Sequence, residues 1–335
     1  MPSETAEGTD FAAAAEPYRP ELLAHCYRML GSVHDAEDLV QETYLRAWRG
    51  FDRFEGRSSV RRWLYQIATR ACLTALEARG RRPLPSGLGA PSEDHRVAVA
   101  DRDPSVPWLQ PVPDTLLGAP GSGDPAVVAA ARAGVRLAFI AALQLLPARQ
   151  RAILTLHDVL AFGSGEIAAL LDTSPAAVDS ALRRARARLA RAGPAQDDLA
   201  EPGEADRRAL LDRYVDAFTR ADPDALVRLL RADVELEMPP IPTWFTGQPA
   251  VAGFLAARVM RAGRWRLEPS AANTQPALIV RHRGGAGQWE PYGVQVLTLT
   301  GARVARIVSF NDRSLVRTFA PTGPANADNS KKRSN

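Results

Sequence analysis

Residues 146–190 read LPARQRAILTLHDVLAFGSGEIAALLDTSPAAVDSALRRARARLA and contain two helical patterns joined by a tight turn. Ser164 can cap a short first helix over residues 165–171. Ser174 can cap a second helix that opens with Pro175, at the position where proline is best tolerated. Four apolar residues recur at helical spacing and face inward: Val178, Leu182, Ala185 and Leu189. The pattern predicts a helix–turn–helix whose second helix points outward.

The outward face of this second helix is suited to a DNA groove. Its first turns would meet base edges, and its later arginines would meet phosphates. The base-edge candidates are Ser174, Ala176, Ala177, Asp179, Ser180 and Arg183, and the phosphate candidates are Arg184, Arg186 and Arg188. The alternative is a plain helical hairpin. Hairpins seldom combine these caps, this turn and a basic tail, so DNA binding is favoured.

An acidic helix stands near the N-terminus, where residues 35–48 read DAEDLVQETYLRAW. One face is predicted to join the core, and it carries Val40, Thr43, Tyr44, Ala47 and Trp48. The opposite stripe carries Asp35, Asp38, Glu42, Arg46 and Arg49. Acids in the first turn suit the positive end of the helix dipole. A solvated acidic face explains them equally well, and Glu42 lies too far along the helix for the dipole to account for it.

The following segment, residues 54–82, is rich in arginine with interleaved aromatic residues. Such density favours phosphate contact, and aromatic rings beside basic side chains commonly hold unstacked bases. The alternative is that the aromatic residues are core. This alternative fits Trp63 well, and it fits Tyr65 and the arginines poorly.

Composition excludes several classes of protein. The two cysteines, Cys26 and Cys72, form no CxxC and have no histidines at metal-ligand spacing, so no disulfide, metal or cofactor site is predicted. Residues 1–17 carry acids where a signal peptide needs a basic start, and no apolar run approaches membrane-spanning length. We therefore expect a cytoplasmic protein without a membrane partner. Motifs for nucleotide phosphates or a nucleophilic serine are absent, and no catalysis is indicated.

The chain of 335 residues is predicted to be multidomain, with two all-α modules followed by an α+β domain. Proline and glycine crowd the segment between the modules, which reads as a linker. The expected divisions are 1–17 disordered, 18–82 helical module, 83–126 linker, 127–192 helix–turn–helix module, 193–205 linker, 206–321 α+β domain and 322–335 disordered. Within the last domain, strands are expected at 264–271, 277–283, 292–300 and 302–309, with a turn at Gly301.

Taken together, these motifs resemble the extracytoplasmic-function group of sigma-70 family RNA polymerase sigma factors, over roughly residues 18–82 and 136–192. The acidic helix is similar to the family helix that binds the β′ clamp helices of core RNA polymerase, which also engages sigma factors through its β subunit. The resemblance implies this contact for Asp35, Asp38, Leu39, Gln41 and Glu42. It also implies that the protein directs promoter recognition and DNA melting.

The resemblance assigns two further DNA contacts. The arginine-rich segment is similar to the family segment that captures and melts the −10 element, which implies DNA contact by Arg57, Ser58, Ser59, Arg61, Arg62, Tyr65 and Arg70. The helix–turn–helix resembles the module that reads the −35 element. Asp179 and Ala181 stand where family members often carry Lys and Arg, so we expect a different −35 sequence.

The sequence WLQPVPD and the last domain resemble the subgroup with a C-terminal SnoaL-like, cone-shaped domain. The resemblance implies a pocket, with Met238, Trp244, Phe245, Trp265, His282, Tyr292, Phe310 and Asp312 as lining candidates. Some relatives of this fold are isomerases that use a buried carboxylate, but Glu235 and Glu237 alternate as on an exposed strand face. We expect this domain to regulate the chain in cis, through an antagonist or a small-molecule ligand.

Two other functions compete with this interpretation. A helix–turn–helix regulator that binds duplex DNA without polymerase would leave the acidic helix and the arginine-rich segment unexplained. An isomerase or hydrolase domain fused to a regulator would require turnover that depends on a pocket acid.

Overall fold

The computed structural model describes residues 11–54, 56, 58–118, 134–192 and 202–320. The first module consists of α1 (Arg19–Leu30), α2 (Val33–Gly50) and α3 (Val60–Arg79). Gly31 ends α1 in the left-handed region with φ 68°, which glycine adopts without a steric penalty. Ser32 then caps α2 by accepting a hydrogen bond from the Asp35 amide. The helices of this module are thus interrupted at Gly31-Ser32 and again before residue 60.

The N-terminal segment differs from the prediction of disorder over residues 1–17. Residues 1–10 lie outside the described part of the chain, and residues 11–15 are helical. The Phe11 ring is buried and meets the rings of Tyr44 and Phe51 edge-on, with centroids 6.2 and 5.3 Å away. Burial of this ring against α2 stabilises the segment.

Residues 81–118 are mostly irregular, and they bury more apolar surface than the sequence analysis expects. Leu84, Leu109 and Val112 are buried in the core that the helices share with the sheet. The Leu109 amide donates to the Pro83 carbonyl, and the Gln110 amide donates to Gly31 at the end of α1. A short helix, α4 (Asp114–Leu117), follows. This predicted linker therefore lies packed between the helical modules and the last domain.

The helix–turn–helix forms as predicted apart from one cap. Its elements are α5 (Leu137–Leu143), α6 (Ala148–Leu154), α7 (Ser164–Leu170) and α8 (Pro175–Ala192). Ser174 accepts a hydrogen bond from the Ala177 amide and caps α8. The prediction that Ser164 caps α7 is wrong, because Gly163 occupies the cap position and its amide donates to the Glu166 carboxylate. Val178, Leu182 and Ala185 face the core.

The last domain combines α9 (Glu204–Arg220), α10 (Pro223–Leu229), α11 (Gln248–Phe254) and α12 (Arg313–Phe319) with one sheet. The strands are β1 (Leu230–Met238), β2 (Ile241–Thr246), β3 (Trp265–Ala272), β4 (Gln275–Arg283), β5 (Trp289–Thr300) and β6 (Arg303–Phe310). Their order is β2-β1-β6-β5-β4-β3, with β1 and β6 parallel. The predicted strands and the turn at Gly301 are confirmed. The sequence analysis missed β2, a proline-containing edge strand, and α12.

The sheet is covered on both faces. Ala277 and Ile279 of β4 belong to the core shared with the helical modules. Leu278 and Val280 alternate with them and join a second core with α9, α10 and α11. The last domain is therefore built against the rest of the chain.

The turn between β3 and β4 is inserted into the junction between the domains. Asn273 has a positive φ of 55° and no exposed surface. Its side-chain amide donates to the Tyr27 hydroxyl at 2.8 Å and to the Val135 carbonyl at 2.7 Å, and its side-chain oxygen accepts from the Val112 amide at 3.1 Å. One side chain therefore joins the first module, the residue 81–118 segment and the residues that precede α5.

Candidate nucleic-acid interface

The outward face of α8 is open. Of its nine predicted DNA contacts, all but the half-buried Ser180 are exposed. Arg184 donates to the Ser180 hydroxyl at 2.6 Å, and Arg186 pairs with Asp158. Arg183 and Arg188 form no ion pair with any described residue. This face can therefore accept phosphates without breaking an ion pair of Arg183 or Arg188.

The basic face of α3 is instead occupied within the chain. Arg62 pairs with Glu166 of α7, and Arg70 lies 2.9 Å from Asp172, in the turn that follows α7. Arg61 makes a forked contact with Glu21 of α1 at 2.9–3.0 Å. Ser58 and Ser59 are exposed, and Ser59 caps α3. Arg57 lies outside the described residues. Three of the predicted −10 contacts are thus paired with acids.

Tyr65 does not lie on the DNA-facing surface as predicted. It is fully buried, its hydroxyl donates to Glu21 at 3.1 Å, and its ring meets Phe162 edge-on. Burial, followed by the nearby Glu21 carboxylate, raises the pKa of its hydroxyl. It is a core residue because its position on α3 points toward α1 and the helix–turn–helix module.

A groove of about 580 Å³ opens at the start of α3. Phe54 stacks on Trp63 in its wall, with ring centroids 4.8 Å apart. Arg46, Arg53 and Arg70 line the same groove. Aromatic rings beside guanidinium groups provide a stacking surface with phosphate ligands at its edge.

Besides the ion pairs of α3, buried hydrogen bonds join the first module to the helix–turn–helix module. Arg151 of α6 donates to the Met29 carbonyl at the end of α1 and to the Gln144 side chain. Arg28 of α1 donates to the Gly134 carbonyl at 2.8 Å. Burial lowers the pKa of Arg28 and of Arg151 to about 10. The two helical modules are therefore joined by a packed interface, which the sequence analysis missed because its partners are distant along the chain.

Part of the acidic helix α2 is free to contact a partner. Asp38 and Gln41 are exposed, and Glu42 pairs with Arg46 at 2.7 Å. Asp35 is only 15% exposed and pairs with Arg82, and Leu39 packs partly against the core. These last two predicted contacts are thus engaged inside the protein, because they lie toward the residue 81–118 segment and the core.

Two large apolar residues of α2 are exposed. Leu45 and Trp48 have exposed fractions of 49% and 50%, so the prediction that Trp48 is core is wrong. Residues 38, 41, 45 and 48 recur at helical spacing and form one outward stripe. Sequence reasoning could have found this stripe by continuing the spacing of Asp38 and Gln41. Exposed apolar side chains beside acids are typical of a protein-binding surface.

The predicted pocket residues divide among three places. His282, Tyr292, Phe310 and Asp312 line a cavity of about 720 Å³. Met238 and Trp265, together with Tyr292, line an interior space of about 40 Å³. Trp244 donates to the Gly89 carbonyl, and Phe245 is buried against Phe254. Trp244 and Phe245 therefore contribute to packing and line neither space.

Glu235 and Glu237 are not on an exposed strand face as expected. Glu237 is fully buried, pairs with Arg306 and accepts a hydrogen bond from the Ser86 amide at 2.8 Å. Burial raises the pKa of Glu235, and Arg306 opposes that shift. The face is covered because Arg306 of the parallel neighbour β6 and residues 85–87 lie over it. Neither acid lines the two cavities described above.

Two kinds of feature are absent from the described residues. Within them, no helix combines the length and apolar character needed to cross a membrane. Across the same residues, His, Cys, Asp and Glu nowhere gather in a group of three or more that could hold a metal ion.

Comparison with known protein families matches three segments of the chain. Residues 14–82 match Sigma-70 region 2, residues 136–189 match Sigma-70 region 4, and residues 211–317 match the SnoaL-like domain.

Individual relatives agree with the family matches. The chain is 47% identical over 313 residues to the ECF RNA polymerase sigma factor SigG of Mycobacterium tuberculosis, covering 92% of this chain and 83% of SigG. It is 31% identical over 222 residues to SigJ of the same organism, covering 65% of this chain and 62% of SigJ. The crystal structure of SigJ aligns with a TM-score of 0.59 at 22% identity, over 92% of this chain and 99% of that one, and so shares the fold.

Proposed function

The chain belongs to the extracytoplasmic-function group of RNA polymerase sigma factors, and from this premise we propose which surfaces carry each step of initiation. As a sigma factor it binds core RNA polymerase and directs recognition and melting of promoter DNA. In our proposal α2 binds the polymerase, α8 reads the −35 element, and α3 with its groove captures the −10 strand.

The observation that carries the proposal is the different state of the two basic surfaces. The α8 face is exposed, whereas Arg62 and Arg70 of α3 are paired with acids of the helix–turn–helix module. Capture of the −10 strand by α3 therefore requires the module to move away. Binding to polymerase supplies the free energy for this opening if the polymerase holds the two modules apart.

The polymerase contact is assigned to the outward stripe of α2, which consists of Asp38, Gln41, Leu45 and Trp48 with Glu42 beside it. Its acids would complement a basic surface, steering association and fixing the register. Trp48 supplies a large apolar anchor of the kind that often dominates binding energy.

The last domain is assigned a regulatory role in cis. Its turn at Asn273 is buried between both helical modules, so the domain can hold them in the closed arrangement. Any ligand or antagonist that stabilises this arrangement would reduce initiation. We expect no turnover from this domain, since Glu235 and Glu237 are paired with Arg306.

The test is promoter-directed transcription and binding with purified core polymerase. Asp38→Lys combined with Glu42→Lys should weaken association with core polymerase by about tenfold or more, because the charge complementarity is reversed. Both residues are at least partly exposed, so the fold should be retained. The matched control is Asp206→Lys with Asp212→Lys, an equal charge change on exposed positions of α9. Equal affinities for the two double variants would refute the assignment of α2.

The rival function, a regulator that binds duplex DNA without polymerase, rests on the open α8 face. Gel shifts with the isolated chain separate the two. Sequence-specific duplex binding at nanomolar concentration without polymerase would favour the rival, whereas weak binding that polymerase strengthens would support the sigma assignment.

A further inference from the structure

The cavity of about 720 Å³ lies between the residue 81–118 segment and the open end of the sheet. It has the size of pockets that take small organic ligands, roughly 300–1,000 Å³. Val106, Trp108 and Tyr292 line it with partly exposed apolar surface. Tyr292 lies between this cavity and the interior of the cone, because it lines both spaces.

The wall contributed by residues 102–110 is fixed by hydrogen bonds. The Asp103 amide donates to the Pro240 carbonyl at 3.1 Å. The Trp108 ring nitrogen donates to the Asp103 carbonyl at 3.0 Å, and the Trp108 carbonyl accepts from Arg82 at 3.1 Å. The Gln110 amide also donates to the Gly31 carbonyl at 2.9 Å, so the cavity is bounded by a segment that is bonded to both the first module and the sheet.

The rim of the cavity carries uncompensated positive charge. Arg102, Arg264 and Arg313 line it, and none of them forms an ion pair within the described part of the chain. An acid, Asp312, also lines the cavity, and it caps α12 by accepting hydrogen bonds from the Ser314 amide and hydroxyl at 2.9 and 2.7 Å. Burial raises the pKa of the Tyr292 hydroxyl, and the opposing influence of Arg102 and Arg264 indicates that both guanidinium groups lie near it.

We propose that this cavity binds a small organic anion, an aromatic or apolar carboxylate whose body contacts Trp108 and Tyr292 and whose charge is held by Arg102 and Arg264. An inorganic ion would leave the apolar surface unused. A neutral ligand would leave the guanidinium groups without a partner. Only a molecule with both an apolar body and a negative charge complements the cavity.

The fourth rim arginine, Arg82, pairs with Asp35 in the first turn of α2. Its charge is therefore engaged within the chain, and the anion is assigned to Arg102 and Arg264. Carboxylate binding does not rest on the proposed function.

The test of binding is calorimetric titration of the full chain with benzoate, phenylacetate and 2-naphthoate. Each is paired with its neutral amide, and acetate serves as the charged probe without a ring. At least one aromatic carboxylate should bind about tenfold or more tightly than its amide and than acetate, because hydrogen bonds between ionised groups are stronger than those to a neutral amide and acetate lacks the ring. Absence of saturable binding by all three carboxylates would overturn the proposal, as would equal affinity for acid and amide.

Variants locate the site. Arg102→Gln with Arg264→Gln should remove the preference for acid over amide, while the control Arg213→Gln with Arg220→Gln on α9 should keep it. All four side chains are exposed, so the variants should fold, and circular dichroism verifies this. An undiminished preference in the first variant would place the anion elsewhere and overturn the assignment.

Discussion

Helices α3 and α8 both present a row of arginines, but they differ in what the arginines touch. On α8, Arg183 and Arg188 extend from an exposed face without an ion pair to any described residue. On α3, Arg62 and Arg70 pair with Glu166 and Asp172 of the neighbouring module. The charge is similar, yet only one surface is available. Density of basic residues therefore does not by itself indicate a surface that is ready to bind DNA.

The difference arises from where each helix stands in the shared core. α8 lies at the outer edge of its module, whereas α3 faces α7 and the Phe162 ring. The ion pairs Arg62–Glu166 and Arg70–Asp172 are at least partly exposed, and each stabilises the closed arrangement by only about 0–1 kcal/mol. The closed arrangement is held mainly by the buried contacts of Arg151 and Asn273. Four predictions test this comparison, beginning with the largest effect.

Removing the Asn273 side chain should weaken the closed arrangement, so that the arginines of α3 become accessible to DNA as those of α8 are. Asn273→Ala removes the side-chain hydrogen bonds to the Val112 amide and the Val135 carbonyl, and one of the two hydrogen bonds of the Tyr27 hydroxyl. It should lower the free energy of unfolding by about 3 kcal/mol. The −10 single strand should then bind the free chain more tightly. Denaturant unfolding and anisotropy with a single-stranded oligonucleotide measure the two effects.

Asn273→Gly is the matched control for backbone strain, because glycine adopts the positive φ without a Cβ penalty. It should recover about 1–2 kcal/mol relative to Asn273→Ala. Wild-type stability in both variants would contradict the role of this residue as the anchor of the closed arrangement.

Replacing arginines of α8 should reduce the salt dependence of duplex binding, whereas replacing arginines of α3 should leave it unchanged. Arg184→Gln with Arg188→Gln should reduce the salt slope of duplex binding by the free chain by about 1.8, which is about 0.9 per lost phosphate contact. Arg62→Gln with Arg70→Gln should leave that slope unchanged, since those side chains already have partners. Binding isotherms over a salt series give the slopes, and equal reductions in both variants would show α3 to be open.

Acidification should weaken the first module through His25, which lies beneath α3 and contacts Thr69. Burial, reinforced by Arg28, lowers the pKa of His25 to about 3, from the ordinary 6.5. The unfolded chain therefore binds one more proton between these values. Stability should fall by about 1.4 kcal/mol per pH unit as the pH drops below 6.5.

The control for this titration is His25→Gln, which keeps a polar side chain and cannot gain the proton. Its free energy of unfolding should depend less on pH, by that same slope, between pH 6.5 and 4. Parallel pH profiles for the two proteins would exclude His25 as the titrating group.

The smallest expected effect comes from breaking the ion pairs that Glu166 and Asp172 form with α3. Glu166→Lys with Asp172→Lys places like charges opposite Arg62 and Arg70 and should raise −10 strand affinity of the free chain a few-fold. The control, Asp206→Lys with Asp212→Lys, adds the same charge away from α3. A gain of equal size in the control would mean that net charge alone is responsible.

The sequence predicted the features that depend on neighbours along the chain. The helix–turn–helix and the turn at Gly301 follow from caps, spacing and glycine conformation within a few residues. The pairing of Arg70 with Asp172 could not be found this way, because it joins residues from separate modules. Burial of Tyr65 was missed for the same reason.

Two other errors have local causes. Trp48 was assigned to the core because it follows Tyr44 at helical spacing, although it also continues the outward stripe of Asp38 and Gln41. β2 was missed because its proline, Pro242, is unfavourable in a central strand, whereas an edge strand tolerates it. The 83–126 linker was read from composition alone, which does not reveal that Leu109 fills a gap in a shared core.

The most direct measurement is the distance between α3 and α8 in the free chain and in complex with core polymerase. Cysteines introduced at the exposed Thr74 and Ala190 can carry spin labels, since Cys26 and Cys72 are buried. Our account predicts one narrow, short distance in the free chain and a longer one in the complex. The same distance in both states, or a broad distribution in the free chain, would contradict a covered α3 surface that opens on polymerase.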